Sequence, residues 1–317
     1  MVVAEVVTDA VAASASAVCV TPIVAAVDKA VAESLSGEKK LWESFFGTLR
    51  SMAGSPVQAL RRPEFRYVWG LFAGTYMINN VVCSFEQELE ESMARTKTFS
   101  VFSGNMCLAL WKDSAFARIF GSGTAPKVPP AAYGAWAARD VLGMGVVFAL
   151  PPVVAPYLAD ATGLSQRTAE TVSQFILPMA VQPLVAPFHQ LGYLMSFNPS
   201  APLSSHASEV RKTLGGVVVA RWIRGFPPYC IGATANKNIR YELRSAAGLS
   251  NSMVQSSSGP MAAGSSQNSN LSRKFTASVL ADAAAESGGA AAGCSEKEKE
   301  GHTLGTTQRA TESVHHR

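Results

Sequence analysis

The chain has 317 residues, 48% of them apolar and only 16% charged, with a formal net charge of +4. That apolar share excludes a wholly disordered protein. So small an excess, with no concentrated basic face, argues against a nucleic-acid binder. The composition also changes along the chain. Residues 247–317 hold six Lys or Arg and six Asp or Glu, so the whole excess lies in residues 1–246.

No Lys or Arg precedes Lys29, while Glu5, Asp9 and Asp28 do. A secretory signal opens on basic residues, and a mitochondrial presequence is Arg-rich and poor in acids. Neither is expected, so any organelle address is internal. The five cysteines are Cys19, Cys83, Cys107, Cys230 and Cys294. They form no Cys-x-x-Cys and no Cys/His ligand spacing, so neither a metal site nor a disulfide framework is expected.

Residues 1–246 carry a series of uncharged windows: 10–27, 69–85, 99–111, 141–159, 171–188 and 225–236. A helix needs about 20 mostly apolar residues to span a bilayer, and the first, second, fourth and fifth approach that length. The windows are rich in Ala, Gly, Ser, Asn and Pro rather than Leu and Ile. Small residues let helix backbones approach closely, and Pro is tolerated where neighbours re-satisfy the freed carbonyls. Together they predict an all-α membrane protein, with a soluble all-α protein as the remaining alternative.

Charged pieces connect the windows. Residues 38–52 place Leu41, Phe45, Thr48 and Met52 on one face, with Trp42, Phe46 and Leu49 beside them, as in a helix lying at a membrane surface. Further breaks fall at Pro56 to Pro63, within 86–97, at Pro126 to Pro130, and at Asn198 to Pro202. The positive-inside rule puts the loop bearing Lys39, Lys40, Arg50, Arg61, Arg62 and Arg66 on the cytosolic or matrix side. From about residue 247 the chain turns to Ser, Gly, Ala, Asn and Gln, a composition expected to stay disordered.

The windows pair into three stretches, about 8–93, 97–160 and 167–246. Each second member opens near a tryptophan: Arg66-Tyr67-Val68-Trp69-Gly70, then Tyr133-Gly134-Ala135-Trp136 with Arg139, then Arg221-Trp222-Ile223-Arg224-Gly225. The hydropathy order thus predicts six transmembrane helices in three pseudo-repeats.

Two stretches extend this to a family. Lys112-Asp113-Ser114-Ala115-Phe116-Ala117-Arg118 resembles the end of an odd-numbered helix of the mitochondrial carriers. Residues 221–243, from Arg221-Trp222-Ile223-Arg224-Gly225-Phe226-Pro227 to Tyr241-Glu242-Leu243, resemble their last even-numbered helix. The resemblance covers residues 10–246. It implies a location in the inner mitochondrial membrane and alternating-access transport of a small anionic metabolite. It departs from the family at the signature Pro-x-acid-x-x-base. Pro22 is too far from Asp28-Lys29, Asp113 and Arg118 have no Pro, and Pro183 and Pro187 are followed by no acid. A polytopic protein with a structural or assembly role is therefore the alternative function.

Scarce charges at the window edges supply the candidate site. Arg139, Asp140, Arg221 and Arg224 are candidates to bind substrate, because intramembrane ionisable residues face a cavity or one another and Arg holds carboxylates bidentately. Arg221 and Arg224 share one helical face. Lys112, Asp113 and Arg118 are the candidate gate. His189 reads as a capping or interfacial residue, and Asn79, Asn80, Asn236 and Asn238 as interhelical hydrogen-bonding groups. No Gly-x-Ser-x-Gly, P-loop, dinucleotide-binding glycine pattern or His-Glu-x-x-His occurs. The expected partners are the bilayer and a small metabolite, with no cofactor and no nucleic acid.

Overall fold

The computed structural model describes residues 2–85, 94–121 and 127–249. The tail beyond 249, part of the 86–97 connector and most of the Gly121-to-Pro126 turn lie outside the described residues. Within them the fold is helical throughout, with no strand.

Helix α1 (Val2–Leu35) is the central post. It packs on α2 (Leu41–Gly54), α4 (Pro63–Phe85), α10 (Leu203–Pro227) and α11 (Ala233–Ala246). So many neighbours require a thin helix, and the sequence supplies one: Ala12, Ala13, Ala17, Ala25, Ala26, Ala30 and Ala32 are all buried. Their methyl groups let adjacent backbones come close. Ser16 and Thr21 donate to the carbonyls of Ala12 and Ala17, each at 2.6 Å, which keeps their hydroxyls satisfied in an apolar setting. Helix α1 is followed at Gly37 by a left-handed residue, φ 80°, as helix ends favour.

Helix α2 buries Ser44, Phe45, Thr48 and Met52, the face expected from periodicity, and leaves Trp42 and Phe46 exposed. A single turn, α3 (Pro56–Ala59), leads into α4. Helix α4 packs on α5 (Ala94–Phe120) where side chains are missing: a Cβ at Gly74 would lie 2.7 Å from Leu108, and one at Gly104 2.6 Å from Ile78. Helix α6 (Pro130–Ala149) packs on α9 (Gln182–Phe197), with the indole of Trp136 seated against Gly192.

Two expected windows are broken. The window 141–159 is divided at Leu150 between α6 and α7 (Pro151–Thr162), with a bend of 45°. The window 171–188 runs through α8 (Gln166–Ala180) into α9, interrupted at Val181. Pro183 has no N–H to offer the carbonyl of Met179. The Trp222 indole of α10 donates to that carbonyl instead, at 2.9 Å. The last window is likewise interrupted, by a π-turn at Pro228–Gly232 between α10 and α11.

Val3–Leu35 and Thr168–Phe197 are long and apolar enough to cross a membrane, and the bent pair Pro130–Val147 with Pro151–Thr162 adds a third if it is one span. The helices α4, α5 and α10 are long but more polar. In α4 the uncharged stretch is diluted by Thr75, Asn79, Asn80 and Ser84, and α10 carries Glu209, Arg211, Lys212, Arg221 and Arg224 within its length.

Candidate functional site

Six of the seven residues singled out from the sequence meet in one place. Lys112 and Asp113 of α5, Arg139 and Asp140 of α6, and Arg221 and Arg224 of α10 cluster around a carboxylate that sequence reasoning set aside, Asp28 of α1. Asp28 accepts from Lys112 Nζ at 2.7 Å and from Arg224 Nε at 2.7 Å, tying α1 to α5 and α10. Asp113 lies beside it, 2.5 Å from Lys112 Nζ. It also accepts from Arg139 Nη1 at 2.5 Å and from the Tyr193 hydroxyl at 3.0 Å. This second tie joins α5 to α6 and α9.

Arg139 is fully committed. Its Nε and Nη2 each reach Asp140 at 2.8 Å, a bidentate pair. Its Nη1 also lies 2.7 Å from His189 Nδ1. A guanidinium can only donate, so Nδ1 is the acceptor and the ring proton sits on Nε2. His189 is buried rather than interfacial, and Trp136 donates to its carbonyl at 3.3 Å. The sequence hides this role because the partners lie 50 and 53 residues away.

Arg221 lies close enough to Arg139, Arg224, Asp28 and Asp113 to interact electrostatically with them, but it hydrogen-bonds elsewhere. Its Nε donates to Gln182 Oε1 at 2.7 Å, and Gln182 itself donates to the Pro178 carbonyl at 2.6 Å, across the break between α8 and α9. Among the described residues no carboxylate pairs with Arg221. The network therefore contains the cations Lys112, Arg139, Arg221 and Arg224 against the anions Asp28, Asp113 and Asp140, and its excess positive charge sits at Arg221. Lys112 and Asp113 are almost sealed, with 1% and 0% of their side chains exposed, whereas Arg224 keeps 24%. Arg118 is exposed, and the structure does not bring it to this network.

A second ion network, absent from the sequence reading, lies at the other end of α1. Asp9 accepts from Arg240 at 2.6 and 3.1 Å and from Arg244 at 3.3 Å, while Arg244 also lies 3.7 Å from Glu5. Asn80 and Asn236 exchange amide hydrogen bonds of 3.1 and 2.7 Å beside it. One signal pointed to both networks: Asp9 and Asp28 bracket the uncharged window 10–27. They are separated by about 28 Å of helix, close to the ~30 Å hydrocarbon thickness of a bilayer. Among the described residues no group of three His, Cys, Asp or Glu is placed to hold a metal ion.

A family model described as "Probable citrulline exporter" matches residues 12–244. The chain belongs to that family. The match takes in Asp28, with Arg221 and Arg224 of α10 and Arg240 and Arg244 of α11. No curated protein and no solved structure matches. An exporter works in a membrane on a small metabolite, and together with the apolar helices the match makes this exporter-family chain an integral membrane transport protein.

The match also corrects the resemblance to mitochondrial carriers, since the family found is a different one. The short patterns behind that resemblance have a simpler cause. Lys112-Asp113 and Arg221-x-x-Arg224 are the helix-borne halves of ion ties, a pattern that any bundle with buried charge produces. The final Arg of the Phe-Ala-Arg pattern, Arg118, lies at the surface. The location in the inner mitochondrial membrane rested on that resemblance and loses its ground with it.

Proposed function

We propose that this chain exports a citrulline-type amino acid by alternating access through a bundle of six membrane-crossing segments in three pairs, 8–93, 97–160 and 167–246. The spans are α1, α4, α5, the bent pair α6–α7, the broken pair α8–α9, and α10 with α11. Citrulline carries an α-carboxylate, an α-ammonium group and a neutral ureido side chain. It is thus a zwitterion with one end of the anionic character expected from the sequence.

The observation that carries the reading is Arg221, a cation in a closely paired network whose partner among the described residues is a neutral amide, Gln182. Its Nη donors suit a carboxylate bidentately. Asp140, bonded to Arg139 and still partly exposed, is the anion available to the ammonium end. Arg139 and Arg224 complete the substrate wall while holding Asp113 and Asp28. Lys112 and Asp113, sealed among α1, α5, α6 and α9, close the path at this end. The Asp9 ties close it at the other.

The test is exchange of labelled citrulline by the purified full chain in proteoliposomes. Saturable exchange that citrulline competes and that Arg221→Ala abolishes supports the reading. No exchange of citrulline or any related amino acid would sink it and leave a polytopic protein of structural or assembly role.

A further inference from the structure

The two ion networks are built on the same two columns. One column is α1, with Asp28 and Asp9. The other is the continuous run of α10, the π-turn and α11, with Arg224 before the turn and Arg240 and Arg244 after it. Both columns are weakened at the same level, between their charges. Helix α1 has Pro22 inside it. The second column has Pro227 and Pro228, neither of which can donate to the preceding turn, so the carbonyls of Ile223 and Arg224 lose their helical donors. The helix widens there into the π-turn, where the N–H of Ala233 returns to the Pro228 carbonyl. Single π-turns inside helices are frequent at functional sites.

One side chain from a third helix pins this weak point. The Tyr76 hydroxyl of α4 donates to the same Pro228 carbonyl at 3.2 Å. It can reach there only because residue 232 has no side chain. A Cβ on Gly232 would overlap the Tyr76 hydroxyl and lie 2.9 Å from both Tyr76 Cζ and Val20 Cγ1. The glycine therefore admits the tyrosine and brings α1, α4 and the turn together two residues before Pro22.

We propose that Tyr76 is a positioning residue of the transport cycle. Its hydroxyl, seated on Gly232 and bonded to Pro228, holds the π-turn so that α10 and α11 move as one rod. Release of that bond lets the two halves hinge, and the ties at Asp28 and Asp9 then break one at a time rather than together. This rests on the transport reading given above, but the hinge can be measured without transport.

Two variants test it, both in the full chain reconstituted in lipid. Tyr76→Phe keeps the ring and removes the hydroxyl. Gly232→Ala pushes the hydroxyl out from the opposite side. Hydrogen exchange of the amides at 229–236 is expected to rise roughly fivefold in each variant, the net worth of one hydrogen bond, with residues 203–222 unchanged. Because both changes act on one contact, Gly232→Ala should do less in the Tyr76→Phe background than alone. In citrulline exchange, kcat should rise by a similar factor with KM unchanged, since hinging and not binding is altered. Exchange that stays at the wild-type level in both variants, or that rises evenly over all helices, overturns the proposal. If the wild-type protein moves no citrulline while the local exchange still rises, the transport reading fails and the latch stands.

Discussion

The ion network around Asp28 and the one around Asp9 hang from the same helix, yet they are composed differently. Around Asp9, among the described residues, two carboxylates, Glu5 and Asp9, face two cations, Arg240 and Arg244, with the paired amides of Asn80 and Asn236 alongside. Around Asp28 three carboxylates face four cations, and the fourth, Arg221, rests on an amide. Burial penalises any charge that lacks a partner. A balanced cluster therefore reads as a lock, while an unbalanced one reads as a lock with a place kept for a further anion. The contrast suggests that the two ends of the bundle do different work.

The contrast can be broken most forcefully at Asp28 itself. Asp28→Ala strips Arg224 of its carboxylate and the buried Lys112 of one of its two, and should destabilise the protein by about 3–5 kcal/mol, the cost of removing one partner of a buried pair. Thermal unfolding of the purified protein reads this; a shift no larger than that of a surface variant would deny the network its structural role. Gly192→Ala comes next. The new methyl meets the Trp136 indole and should cost about 1–3 kcal/mol, as overpacking does. It should also loosen the Arg139–His189 contact, which a histidine-selective NMR signal reports.

Arg221→Gln sharpens the comparison rather than breaking it. Removing the uncompensated cation should leave the unfolding temperature level or slightly raised, while citrulline affinity falls roughly 10- to 100-fold, the worth of a charge-assisted hydrogen bond. A loss of stability matching that of Asp28→Ala would show that Arg221 is part of the lock. The smallest effect is expected at the balanced end. Asn80→Ala removes an interhelical amide pair, worth on average about 0.6 kcal/mol in membrane proteins, and should leave citrulline affinity untouched.

Much of this was legible where the information is local. The amphipathic face of α2, with Phe45, Thr48 and Met52 buried, followed from a period of 3.6. Scarcity singled out the charges at window edges, and the structure gathers all but Arg118 of those candidates near Asp28. What the sequence could not show is pairing. Asp28 meets Arg224 across 196 residues, and Asp9 meets Arg240 across 231. No spacing rule reaches that far, because these contacts are fixed by which helices pack, not by their own turns. The search for a Pro-x-acid pattern also led away from Asp28. That carboxylate needs no nearby proline; it needs only to end an uncharged run where two cationic helices arrive.

The break between α8 and α9 carries a consequence for how the protein is made. The Met179 carbonyl, left without a helical donor by Pro183, is served by Trp222, which the ribosome adds 43 residues later. Before α10 is synthesised that carbonyl lacks its indole partner, and an unsatisfied polar group within a bilayer costs several kcal/mol. Replacing Trp222 with Phe, which fills the space but brings no N–H, should show as slower maturation and faster proteolysis of newly made chains before it shows as any defect in the finished protein.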